Sequence, residues 1–143
     1  MRKRILAFLF LLCLINSASA EDARQIVKLP DRMKEHMLSN MRDHLLALEQ
    51  ITRNLADGQY EKAAEIAEKR LGMSSLDSHG ASHMGQFMPK EMRNIGTNMH
   101  RAASVFSLAA KDAELEGDLN KAFLALSKVM QHCVACHSAY KIH

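Results

Sequence analysis

The stretch LNKAFLALSKVMQHCVACHSAY, residues 119–140, decides the fold. Leu119, Phe123, Leu126, Met130, Cys133, His137 and Tyr140 fall at steps of four and three, which is one face of an α-helix, and Asp118 stands where a helix N-cap belongs. This face is expected to form an inner seam, with the cysteine-bearing turns on it. Only Gly117-Asp118 separates the helix from the segment before it, so the two should pack as antiparallel neighbours. That preceding segment opens at Pro89 and carries the stripe Met92, Ile95, Met99, Ala103, Phe106, Ala110 and Ala113 up to Glu116-Gly117. Gly96 beside the stripe is expected to admit a close neighbour.

Further upstream, residues 73–88 hold scattered Ser and Gly with no sustained period, and read as a long connection with room for a helical turn. Before it, Tyr60, Ala64, Ala67 and Leu71 mark a short helix with Gly72 as its C-terminal cap. The first helix starts at Leu29-Pro30-Asp31, runs along Met33, Met37, Met41, His44, Leu48, Ile51 and Leu55, and stops at Ala56-Asp57-Gly58. Two tight turns and four helices predict an all-α chain folded as an antiparallel up-down-up-down four-helix bundle.

Composition narrows the function. Residues 1–20 carry an Arg2-Lys3-Arg4 head, an apolar run from Ile5 to Ile15 and an Ala18-Ser19-Ala20 ending, the pattern of an export signal cleaved after Ala20. An apolar run of this length is too short for a bilayer span, which takes about 20 residues. The domain 21–143 keeps 16 basic residues against 16 acidic ones, so the +3 of the whole chain resides in the head. A neutral domain lacks the basic surplus that a nucleic-acid binder uses to displace counterions. Aromatics are few, whereas Ala, Leu, Met, Glu and Lys, all good helix formers, are abundant. Cys13 leaves with the signal, which isolates Cys133 and Cys136 as a matched pair.

Cys133-Val134-Ala135-Cys136-His137 is the C-x-x-C-H pattern of covalent haem attachment. Two thiols one helical turn apart can each add to a vinyl group of one porphyrin, and the adjacent imidazole can then ligate the iron. A redox dithiol would sit at a strand-to-helix junction, and the His132, Cys133, Cys136 and His137 set does not close a zinc tetrahedron from one helix. A disulfide across one turn would strain the backbone.

An export signal, four helices, and Cys133-x-x-Cys136-His137-x-x-Tyr140-Lys141 almost at the end of the chain resemble the class II c-type cytochromes, the cytochrome c-prime group and its low-spin relatives. The resemblance implies one covalent haem c per chain inside the bundle, with His137 as proximal ligand and a first-helix residue facing the sixth position. It also implies a homodimer. A thioether in the sixth position implies electron transfer with a partner protein, and a blocked position implies binding of NO or CO. The first helix offers Met37, then Met41, as distal ligand, with His36 as the alternative. Arg32 is a candidate partner for a haem propionate, although it lies five residues before Met37 where relatives show a spacing of about one turn.

A second cluster, Met73, His79, His83, Met84, Met88, Met92, Met99 and His100, is expected to serve core and loop packing, with a copper-handling segment, for which it has the donor chemistry and His79 and His83 four residues apart, as the alternative. The sequence contains no Ser-His-Asp order, phosphate loop or carboxylate pair, and no enzyme is expected. The expectation is therefore a periplasmic monohaem electron carrier. With ferric haem and ionised propionates, its formal charge falls to about −1.

Overall fold

The structure, a computed structural model, describes residues 21–143; the export signal, its cleavage after Ala20, and Cys13 lie outside the described residues. The chain is all-α apart from two three-residue strands. It runs β1 (Gln25–Val27), α1 (Asp31–Ala56), α2 (Tyr60–Arg70), a 3-10 turn (Met73–Ser75), α3 (Ala81–Met84), a second 3-10 turn (Gly85–Phe87), α4 (Lys90–Glu116), α5 (Leu119–Ala139) and β2 (Tyr140–Ile142). The described residues thus hold five α-helices rather than four. The additional one, α3, is a single turn within the connection 73–88.

The long helices start and stop where the sequence chemistry dictates. Pro30 and Pro89 stand immediately before α1 and α4, where a missing N–H costs nothing. The Asp118 carboxylate accepts a hydrogen bond from the Asn120 N–H at 2.9 Å and so caps α5. Gly117 ends α4 with φ 72°, a left-handed conformation that glycine adopts without strain, and this allows α5 to follow after one further residue. Gly72 departs from its expected role. Its φ is −75°, Leu71 takes the cap position, and a Cβ on Gly72 would lie 2.7 Å from the Glu68 carbonyl oxygen. Close approach to the end of α2, not left-handed geometry, selects glycine there. Gly96 also departs, because a Cβ at that position would meet nothing within 4 Å.

The main core joins α1, α2, α4 and α5 through Ala47, Ile51, Leu55, Ala64, Ala67, Leu71, Met99, Ala103, Phe106, Ala110, Leu126 and Val129. Eight of its residues are alanines on α2, α4 or α5, which lets the helix axes come close. The backbones of α4 and α5, of α2 and α4, and of α1 and α2 run in close contact, but those of α1 and α5 do not.

On α5 the buried face is Ala122, Ala125, Leu126 and Val129, with Cys133 half-buried. Phe123, Met130 and His137 of the expected seam are exposed. Steps of four and three fit both faces, and packing selects the one whose small alanines allow close contact with α4. Tyr140 is no longer helical. With φ −129° and ψ 149° it opens β2, which pairs in parallel with β1, Gln25 opposite Tyr140 and Val27 opposite Ile142. Lys141 Nζ lies 3.2 Å from an Asp22 carboxylate oxygen, and Asp22 also pairs with Arg24. The two ends of the described chain are thereby clasped together.

Candidate functional site

A second apolar cluster lies apart from the main core. Val27 of β1, Leu29, Met37 of α1, Met84 of α3 and Met92 of α4 are its buried members. Met33, Met41, Met88, Cys136, Tyr140 and Ile142 pack against it. Helical periodicity on α1 places Met33, Met37 and Met41 on one face, and the β1–β2 clasp brings the segment after Cys136 over the same cluster. Two of the expected site residues from opposite ends of the sequence, Met37 and Cys136, therefore share one apolar environment, joined by Met41. Six methionines and one thiol contribute to it, and thioether side chains are both adaptable filler and soft donors.

Cys133 belongs to the other side of the same helical turn, packed against the main core, with its Sγ 3.5 Å from the Val129 carbonyl. Neither cysteine is in a disulfide. Burial raises the pKa of both thiols, and the neighbouring Cys133 adds to the rise at Cys136. Thiols held protonated in this way lack the low pKa of a redox-active dithiol. His137 is exposed on the last turn of α5, and its backbone carbonyl accepts from Arg24 Nη1 at 3.4 Å. Arg32 is exposed at the start of α1. His36 is exposed as well and is turned toward the connection, its Nε2 3.2 Å from the point a Gly80 Cβ would occupy. It is no member of the apolar cluster, whereas Met37 and Met41 are.

The residues fit a covalently held haem on three grounds. Both thiols are unpaired and one turn apart, the clustered side chains are apolar with thioether donors among them, and the α1 and α5 backbones do not run in close contact.

The structure also brings together three buried histidines. The rings of His44 on α1, His79 in the connection and His100 on α4 have centroids 4.8, 5.3 and 6.1 Å apart. The Asn40 amide donates to the His79 carbonyl at 3.2 Å and pins the connection to α1. Arg70 pairs with Asp43 beside His44, and its guanidinium also donates to Gln50 Oε1 at 2.6 Å. Burial, reinforced by the other two imidazoles, lowers the pKa of His44 to about 4. Burial likewise lowers those of His79 and His100. His83, four residues from His79 in sequence, is exposed and outside this group. As the side chains stand, no group of three His, Cys, Asp or Glu among the described residues is arranged as a ready-made metal cage.

The triad makes stability depend on pH. Between about pH 6.5 and 4 the unfolded chain binds a proton at His44 that the folded chain does not, so stability rises with pH across this window. It is complete above the window and lost progressively on acidification, by about 3 kcal/mol for His44 alone. Urea titrations of the metal-free protein at pH 7 and pH 4.5 should show the midpoint fall, and His44→Gln should flatten the dependence. An unchanged slope in that variant would mean that other groups carry it.

No protein-family model, curated protein or solved structure matches this chain. Among the described residues no helix is long and apolar enough to cross a membrane.

Proposed function

We propose that the chain is an exported, periplasmic monohaem c-type cytochrome that carries one electron, with its four long helices forming an antiparallel up-down-up-down bundle of the cytochrome c-prime class. The observation that carries this reading is the Cys133-x-x-Cys136-His137 motif on a helix whose Cys136 packs into the same apolar cluster as Met37. When bound, haem iron supplies the one-electron chemistry. The protein's residues have four tasks. Cys133 and Cys136 would tether the group, and His137 would offer its imidazole to the iron. Met37 offers a thioether from α1, with Met41 one turn further on. The cluster of methionines with Val27, Leu29 and Ile142 excludes water, which favours a small reorganisation cost on electron exchange. Arg32, exposed at the start of α1, would serve as a counter-charge for a propionate.

Met37 takes precedence over His36 because it is buried within the cluster, 7% exposed, whereas His36 turns toward Gly80. The protein purified from a host with haem-attachment machinery should give low-spin ferric and ferrous spectra with a methionine-to-iron charge-transfer band. Met37→Ala should abolish that band and admit carbon monoxide. A wild-type spectrum that is high-spin and shifts readily with carbon monoxide would instead assign the gas-binding role, with Met37 as a blocking side chain. A partner for electron exchange and a second copy of the chain are both part of the proposal. For the latter, Val105 and Leu124, exposed at the α4–α5 groove, offer apolar surface.

A further inference from the structure

We propose that His44, His79 and His100 form a three-imidazole binding site for a divalent transition-metal cation of the Zn2+ class, built from residues that the haem reading does not use. The three rings come from α1, from the connection before α3 and from α4, and nothing in the haem chemistry requires them to meet.

Hydrogen bonding dictates which nitrogen each ring presents. The Leu71 carbonyl lies 2.8 Å from His100 Nδ1, and a carbonyl only accepts, so Nδ1 carries the proton and Nε2 carries the lone pair. Ser75 Oγ donates its own hydrogen to the Gly72 carbonyl at 2.7 Å. It can therefore only accept from His79 Nδ1, 3.3 Å away, which leaves the His79 Nε2 with a lone pair too. His44 Nε2 is buried without any hydrogen-bond partner, and it is the one buried side-chain nitrogen or oxygen among the described residues in that condition. A buried polar atom without a partner costs free energy, and a cation shared with two neighbouring lone pairs removes that cost.

Distances agree with this use. Imidazole nitrogens at about 2.0–2.1 Å from a tetrahedral ion place the ring centroids roughly 5 Å apart. The observed separations of 4.8, 5.3 and 6.1 Å bracket that value. The two Nδ1–H bonds, to a backbone carbonyl and to a serine held by another carbonyl, are the outer-shell contacts that orient ligating histidines. The three rings are not disposed as a finished cage, and closing the set while keeping the Nδ1–H bonds of His79 and His100 requires His44, whose Nε2 has no partner, to be the ring that moves. Burial favours the neutral form of all three rings, so protons compete weakly at pH 7. The nearby charges are the Asp43 carboxylate and the Arg70 guanidinium, which neutralise one another as an ion pair, and His36, which faces His79. Three imidazoles leave a fourth position for water or a small ligand.

The test uses the full chain as purified after export and haem attachment, stripped with a chelator and titrated with Zn2+ by calorimetry. One ion per chain is expected, with affinity lost at least on the order of 100-fold in His44→Gln and in His100→Gln, and retained in His83→Gln. No binding, or binding unchanged in the first two variants, overturns the proposal and assigns any zinc to exposed histidines. Zinc-edge X-ray absorption of the unmodified protein provides a readout that does not depend on either variant folding. Scattering from three imidazoles supports the site; sulfur neighbours or a single imidazole overturn it. The haem spectrum should remain unchanged on zinc saturation. The outcome is independent of the haem reading, since a chain without haem would still contain the triad.

Discussion

Cys133→Ser combined with Cys136→Ser should yield a folded chain that carries no covalent haem. The thiols are the only described groups able to form thioether bonds with a porphyrin, and α5 keeps its main-core contacts through Ala122, Leu126 and Val129, none of which is altered. Covalent haem stain after denaturing electrophoresis should therefore disappear, while circular dichroism retains a helical spectrum. Each single variant should retain one thioether, with a shifted ferrous absorption band reporting the unreacted vinyl group. Covalent haem in the double variant would refute the attachment chemistry. Loss of helicity along with haem would show instead that the bound group, rather than the main core, holds α5 in place.

The second large effect is on stability. Phe106 on α4 is fully buried and is the largest such side chain, packed amid alanines from the neighbouring helices. Phe106→Ala removes a ring from a core rich in alanines, which have no side chain to move into the space. A loss of about 3–5 kcal/mol is expected, read from the urea midpoint at constant slope. This is a large part of the roughly 5–15 kcal/mol typical of a domain. A loss below about 1 kcal/mol would mean that the helices close around the gap, or that bound haem supplies most of the cohesion.

The four long helices were legible because each carries a periodic stripe and a local boundary signal, such as Pro30, Pro89 or Asp118 at a start and Gly117 at an end. Their burial was legible on α4, where Met92, Met99, Ala103, Phe106, Ala110 and Ala113 are buried as expected. It was not legible on α5, because an alanine face and a Phe-Met face share the same period and only the neighbouring helix decides between them. The strands lay beyond reach for another reason. Three residues carry too little alternation to register, and β1 has no partner until β2 is brought to it. Of the residues proposed to hold haem, Cys133, Cys136 and His137 come from the spacing of the sequence alone, and the shared cluster of Met37 with Cys136 required the fold. The triad combined both situations. His44 already stood on the α1 stripe and His79 and His100 in the Met-rich segment, but the sequence paired His79 with His83 by spacing, and tertiary packing pairs it with His44 and His100 instead.

The β1–β2 clasp also sets an order of events. Gln25 pairs with Tyr140 across nearly the whole domain, and Ile26–Lys141 and Val27–Ile142 span the same separation, so the sheet closes after the local helices have formed. Until then the segment following Cys136 hangs free, and the residues that will cover the methionine cluster from the far end, Tyr140 and Ile142, are absent from it. On the proposed haem reading, an attachment enzyme that needs to reach both thiols would meet an open substrate, and the clasp, with Asp22, Arg24 and Lys141 across its ends, would shut behind the product.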